Sequence, residues 1–74
     1  MINELDTIIL AVDLPEHGLA AGDLGTVVLT HQGGFEVEFI TLDGETLAVV
    51  SLTSEQIRPI AHGEIAHARL AVTD

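Results

Sequence analysis

The pentapeptide Phe35–Phe39, FEVEF, constrains the fold of this chain more than any other stretch. Apolar and acidic residues alternate through it without a break, with Gln32-Gly33-Gly34 before it and Asp43-Gly44 shortly after. Period-two alternation places Phe35, Val37 and Phe39 on one face of a strand and Glu36 and Glu38 on the other. Short glycine-bearing links are the usual way of joining antiparallel neighbours. The middle of the chain therefore predicts a meander of three strands: LGTVVLTH over 24–31, Phe35 to Thr41, and ETLAVVSL over 45–52.

The flanks extend the same pattern. TIILAV, Thr7 to Val12, is a β-branched and aliphatic run between acidic residues, too short for a helix and suited to a first strand. DLPEHGLAAGD, residues 13–23, has no sustained period. It reads as an ordered loop in which Pro15 fixes one φ while Gly18 and Gly22 are free to take positive φ. Thr53 and Gln56 have the spacing of a capping box, which predicts one helical turn before a short last strand at Ile57 to Ile60. Pro59 cannot donate to a ladder and confines that strand to an edge or seam.

These elements predict an all-β fold, a small five-stranded SH3-like barrel over residues 1–60. It should be closed or nearly so, with a short helical turn before the last strand and a C-terminal tail over 61–74. The expected core is Ile8, Leu10, Leu24, Val27, Leu29, Phe35, Val37, Phe39, Leu47, Val49, Leu52 and Ile57. Two points stay open. One is a one-residue register that decides between Val27 and Val28. The other is the adjacent pair Val49 and Val50, which makes both faces of the fourth strand apolar and calls for a bulge or a covered outer face.

Size and charge narrow the function. A chain of 74 residues buries only about 60% of its unfolded surface, and with no Cys it has no disulfide to compensate. The absence of Cys fits a reducing cytoplasm. MINELDTIIL has no basic n-region, and its apolar run is too short for a signal-peptide core or a membrane span, so the expected location is cytoplasmic. Twelve acidic residues face two arginines, Arg58 and Arg69, and no lysine, for a formal net charge of -10. Nucleic acid and anionic membrane surfaces are excluded as expected partners, because both need clustered cations. The acidity serves either solubility or a basic protein partner. With no Trp or Tyr, the aromatic groove that grips polyproline segments is also missing.

Taken together, DLPEHGLAAGDLGTVV, FEVEFITLDGET and LTSEQIRPI resemble a bacterial family catalogued as domain of unknown function 4926. The resemblance spans residues 5 to 60. It is carried by Leu14-Pro15 to Leu19, Gly22 to Val27, Glu36 to Phe39 and Arg58-Pro59. It implies a compact barrel. Members are often small stand-alone proteins, some encoded beside small toxin-like partners, which implies an antitoxin or immunity role here.

Four places compete as sites. Glu16, His17 and Asp23, around Pro15 and Gly18, either engage a partner or ion, or lie on a loop that merely reverses the backbone across the barrel mouth. GLAAGDLG lacks a following helix N-terminus and a P-loop lysine, so no phosphate cradle and no cofactor is expected. In the tail, His62, Glu64 and His67 offer two imidazoles and a carboxylate for zinc. The two histidines diverge by about 140° on a helix, however, and a solvated or partner-packing tail is the alternative. Ile65, Ala68 and Val72 would form one stripe if the tail were a short helix; an extra strand or a swapped dimer are the other forms.

On the central strand, Glu36 and Glu38 stand about 7 Å apart, close enough for acid/base chemistry. Such chemistry needs one carboxyl in a water-poor site, and nothing in the sequence predicts a cleft. The expectation is a non-enzymatic interaction module. Its partner-binding surface would be Glu36, Glu38, Asp43 and Glu45 with Ile40 as an apolar anchor, supplemented by Glu16 and His17. The partner would be a basic protein. The alternatives are a metal-binding or accessory subunit using the tail, and a self-associating barrel, such as a homodimer, sealed by Val50 and the tail.

Overall fold

The computed structural model describes residues 1–71. Its strands are β1 (Thr7–Leu10), β2 (Leu24–His31), β3 (Gly34–Ile40), β4 (Thr46–Leu52) and β5 (Ile57–Pro59), with one 3-10 turn at Pro15–His17. Every pairing is antiparallel, and the order across the sheet is β4-β3-β2-β1-β5. The two outermost strands are thus consecutive in sequence, joined only by Thr53–Gln56. That link reaches at most about 18 Å when fully extended. The sheet must curl until its edges approach, which gives the expected SH3-like form. β4 and β5 share no ladder, so the curl stops short of a hydrogen-bonded closed barrel.

The concave side holds one core. Ile8, Leu10, Val27, Val37, Phe39, Leu52 and Ile57 are buried as expected, and Leu14, Leu19 and Val50 join them. Burying each such side chain contributes about 1.5–3 kcal/mol. Directly opposed residues share a face, and the register shows why: Val37 lies opposite Val50, Phe39 opposite Ala48, and Ile8 opposite Gly25. Phe35 and Leu47 are half-buried.

Three residues expected inside are outside: Leu24 is 42% exposed, Leu29 50% and Val49 55%. Leu24 is displaced because Gly25 takes the inner position. A Cβ there would meet Val37 Cγ1 at 2.6 Å and Phe39 Cε1 at 2.9 Å, so only glycine admits the Phe39 ring. Leu29 is turned out by a bulge in β2. Val27 pairs with Val37 and Leu29 with Glu36, which leaves Val28 as the extra residue and resolves the register in favour of Val27. Val49 sits beside Glu38 because the β4 phase is fixed by Val50. The second bulge, at Leu47, falls between the Phe39–Ala48 and Ile40–Thr46 pairs.

The ends of the elements follow local chemistry. Gly18 (φ 70°) closes the 3-10 turn by donating its N–H to the Pro15 carbonyl, and Gly22 (φ 99°) also takes the expected positive φ. Around that turn Leu14 and Leu19 exchange backbone hydrogen bonds of 3.0 and 3.1 Å, and both side chains plug the barrel. The expected helical turn at Thr53–Gln56 is a single hydrogen-bonded turn: the Gln56 N–H donates to the Thr53 carbonyl at 3.0 Å. The Gln56 Oε1 accepts from the Thr53 N–H at 2.8 Å, the return half of the capping box. Pro59 lies on edge strand β5, where its missing donor costs nothing.

From Ala61 to Ala71 the tail forms neither helix nor strand, so the Ile65 and Ala68 part of the helical stripe does not form; Val72 lies outside the described residues. Among the described residues no helix is long and apolar enough to cross a membrane.

Candidate functional site

The convex face of β3 presents the two glutamates singled out by the sequence. Glu36 is flanked by Leu29 on β2 and Ser51 on β4, and Glu38 by Thr26 and Val49. Neither carboxylate hangs loose. Glu36 accepts from the Ser51 hydroxyl and from His31 Nε2, the latter at 2.9 Å. These two hydrogen bonds hold its carboxyl below the usual range. The Thr46 hydroxyl donates to Glu38 at 2.7 Å. The result is a fixed acidic stripe between exposed aliphatics, Leu29 on one side and Val49 on the other.

At the far end of β3, Ile40 is 52% exposed, and Leu42 at the tip of the β3–β4 hairpin is almost wholly so. Asp43 accepts from the Thr41 hydroxyl at 2.5 Å, and that hydroxyl accepts from the Glu45 N–H at 2.8 Å, which stiffens the turn. Glu16 and His17 stand exposed on the 3-10 turn of the first loop. The expected acidic set therefore divides among the convex face of β3, the β3–β4 hairpin and the first loop.

Asp23 departs from the expected display. Its side chain is 18% exposed and grips Arg69 of the tail. Arg69 Nε donates to Oδ1 at 2.8 Å and Nη2 to Oδ2 at 2.5 Å, a two-pronged pair, and Nη2 also reaches the Gly18 carbonyl at 3.2 Å. The Ala20 N–H donates to Oδ2 at 2.9 Å from the other side. Burial pushes the Asp23 carboxyl up. The hydrogen bonds from Arg69 and Ala20, with the Arg69 charge, outweigh it and leave the carboxyl below its ordinary range.

Arg58 on β5 makes the second tether. Its Nη1 and Nη2 donate to the two oxygens of Glu64 at 2.9 and 2.6 Å. The Ala61 N–H adds a bond of 2.6 Å to Oε1. The Arg58 hydrogen bond first, and the Ala61 amide second, lower the Glu64 carboxyl to about 2. Both oxygens of the proposed zinc ligand are thus engaged by protein donors. His62, Glu64 and His67 do not gather into a metal-binding cluster, and none forms elsewhere among the described residues.

These two pairs draw the tail across the convex side of β5, β1 and β2, where Arg58, Ile9 and Leu24 lie abreast. Ile9 points outward and is still only 6% exposed, with Ile65, Ala66 and His67 of the tail around it. Beyond Arg69 the tail passes the β3–β4 hairpin. There it and the barrel border an open hollow of about 540 Å³, whose barrel side includes Leu19, Leu24, Ile40 and Leu47 with Asp23, Thr41 and Asp43.

A family model matches residues 4–59 of the chain. The chain belongs to DUF4926, a domain of unknown function. No curated protein and no solved structure matches it. The DUF4926 match takes in all five strands and Asp23, and it stops before the tail that Asp23 holds. The sequence contained one signal for that contact: Arg69 is one of only two cations in a chain with twelve acidic residues.

Proposed function

We propose that this DUF4926 protein is a non-enzymatic interaction module that binds and neutralises a basic protein partner in the cytoplasm, in the manner of an antitoxin or immunity protein. One observation carries the proposal. Both arginines are consumed inside the chain, by Glu64 and Asp23, so no cationic Lys or Arg side chain remains to offset the other carboxylates. Subtracting these two from the twelve acidic residues of the sequence leaves ten. Among them Glu36 and Glu38 are held in fixed rotamers between exposed Leu29 and Val49. An interface core of aliphatic side chains around oriented charges is what a cationic partner needs for both encounter rate and burial.

The test is capture of a co-expressed cationic protein at low and moderate salt by wild type, Glu38→Lys and Glu55→Lys. Each variant moves the net charge from -10 to -8. Glu55 lies in the β4–β5 turn, away from β3. Loss with Glu38→Lys and retention with Glu55→Lys supports the β3 face. Equal retention by both variants, with unchanged salt dependence, removes it.

A further inference from the structure

The groove at Asp23 is filled by the chain's own tail, and the manner of filling indicates what else fits there. Asp23 is a prepared receptor for arginine. Its backbone is locked to the end of β1, because the Leu10 N–H donates to the Asp23 carbonyl and the Gly22 N–H to the Leu10 carbonyl, both at 2.8 Å. Its carboxylate is aimed by the Ala20 N–H. The Gly18 carbonyl supplies one more acceptor for the guanidinium. A planar fork of donors matches this set, and an ammonium does not.

The rest of the tail fits poorly. The hollow beside Asp23 is lined on the barrel side by the aliphatic residues Leu19, Leu24, Ile40 and Leu47 with Thr41 and Asp43 at the hairpin, and on the tail side by three alanines, Ala66, Ala68 and Ala71, together with His67, Arg69 and Leu70. Its two large apolar residues bury little of their own surface: Ile65 is 93% exposed and Leu70 90%. From Ile65 to Ala71 the tail makes no backbone–backbone hydrogen bond to the barrel. Beyond the Glu64–Arg58 pair, one arginine holds it over a surface on which Leu24 and Ile40 stay 42% and 52% exposed.

We propose that this groove is a recognition site for an arginine-bearing extended segment of a partner protein, and that residues 64–71 are a built-in competitor for it. The site stands on the contacts of Arg69; only the cationic nature of the partner rests on the function proposed above. A partner segment with an arginine and a bulkier apolar neighbour would take the Asp23 pair and cover Leu24 and Ile40, which the tail leaves exposed.

The probe is the blocked, fluorescently labelled peptide of residues 64–71, EIAHARLA, titrated by anisotropy against the full-length protein. Arg69→Gln frees the Asp23 pocket of its competing arginine, leaving Glu64 on Arg58, and should tighten binding about tenfold or more over wild type, since the competent fraction rises. Adding Asp23→Asn to that variant should abolish the gain; Asn keeps a carbonyl for the Ala20 N–H, so the loop stays formed. The same peptide with lysine in place of its arginine should bind more weakly. Adding Glu38→Lys to Arg69→Gln should leave peptide binding unchanged, which separates failure of the β3 face from failure of this groove. Equal binding by wild type and Arg69→Gln, or binding indifferent to Asp23→Asn or to lysine, overturns the site. Sedimentation supplies a further arm. A wild-type dimer that Arg69→Gln converts to monomer would seat a second copy's tail in the groove and overturn the partner segment as occupant.

Discussion

Gly34→Ala should be the most damaging single-methyl change in this protein. Gly34 opens β3 at φ +150°, and a Cβ built on it runs into the backbone carbonyl of Leu52 on β4. The backbone term alone is about 1–3 kcal/mol. The clash is with main chain, so no rotamer relieves it, and β3 and β4 must part where Phe35 faces Leu52. Overpacking there adds about 1–3 kcal/mol, and a weakened ladder bond about 1 kcal/mol. The sum is about 3–7 kcal/mol. For 74 residues the whole stability is about 4–11 kcal/mol. Gly22→Ala is the matched control. Its φ is also positive, at +99°, but a Cβ there meets nothing within 4 Å, so the cost is confined to about 1–2 kcal/mol of conformation. Urea unfolding followed by far-UV circular dichroism compares the two, since the chain has no Trp or Tyr to report by fluorescence. Gly34→Ala should lose at least about 2 kcal/mol more than Gly22→Ala, or about 8–16 °C in Tm. Equal losses would show that β3 and β4 do not meet at Leu52.

The same substitution at two neighbouring positions tests the β4 phase. Val50→Thr buries an unpartnered hydroxyl and should cost about 1–3 kcal/mol, while Val49→Thr on the convex face should stay within about 0.5 kcal/mol; the reverse order in urea melts would place the β4 register one residue out. A second prediction concerns pH. Glu64 titrates at about 2 in the folded chain against an ordinary value of 4.5. A depressed carboxyl stabilises the folded arrangement above its unfolded value, and that contribution fades as pH falls from about 4.5 through about 2. The Ala61 amide, which donates to Glu64, should report that midpoint in a two-dimensional NMR titration. Arg58→Gln should raise the midpoint towards 4.5, and an unmoved midpoint would deny the Arg58 pair.

Strand positions and turns were legible because they rest on local rules. LGTVVLTH, the Gly33-Gly34 turn and the FEVEF alternation became β2, the β2–β3 hairpin and β3 nearly residue for residue. Inward and outward were legible only where the alternation ran unbroken. In β2 and β4 a single extra residue, Val28 or Leu47, shifts the phase, and an aliphatic run reads the same before and after such a shift. Leu24 was misplaced for a different reason. A glycine took the inner position because Phe39, fourteen residues later in the chain, needs the space, and a contact at that distance leaves no periodicity behind.

The acidic stripe of β3 was legible, since outward glutamates on an alternating strand have only one face to occupy. The tail was not, because its placement depends on which two of many carboxylates the two arginines select. Arg58 and Arg69 both act on the tail, one receiving Glu64 and the other delivering itself to Asp23. The chain's whole Lys and Arg content thus goes into fastening residues 64–69 to the barrel. Both pairs are two-pronged, yet they lie near the surface and weaken with salt, so the fastening is reversible. A partner arginine that displaces Arg69 exchanges one arginine–aspartate pair for another, and the Coulomb gain of the new pair nearly cancels the loss of the old. On the function proposed above, net charge would govern how fast a cationic partner arrives, largely through the β3 face. Which segment stays in the groove would then be decided by how well it covers Leu24 and Ile40, which remain 42% and 52% exposed beside the tail.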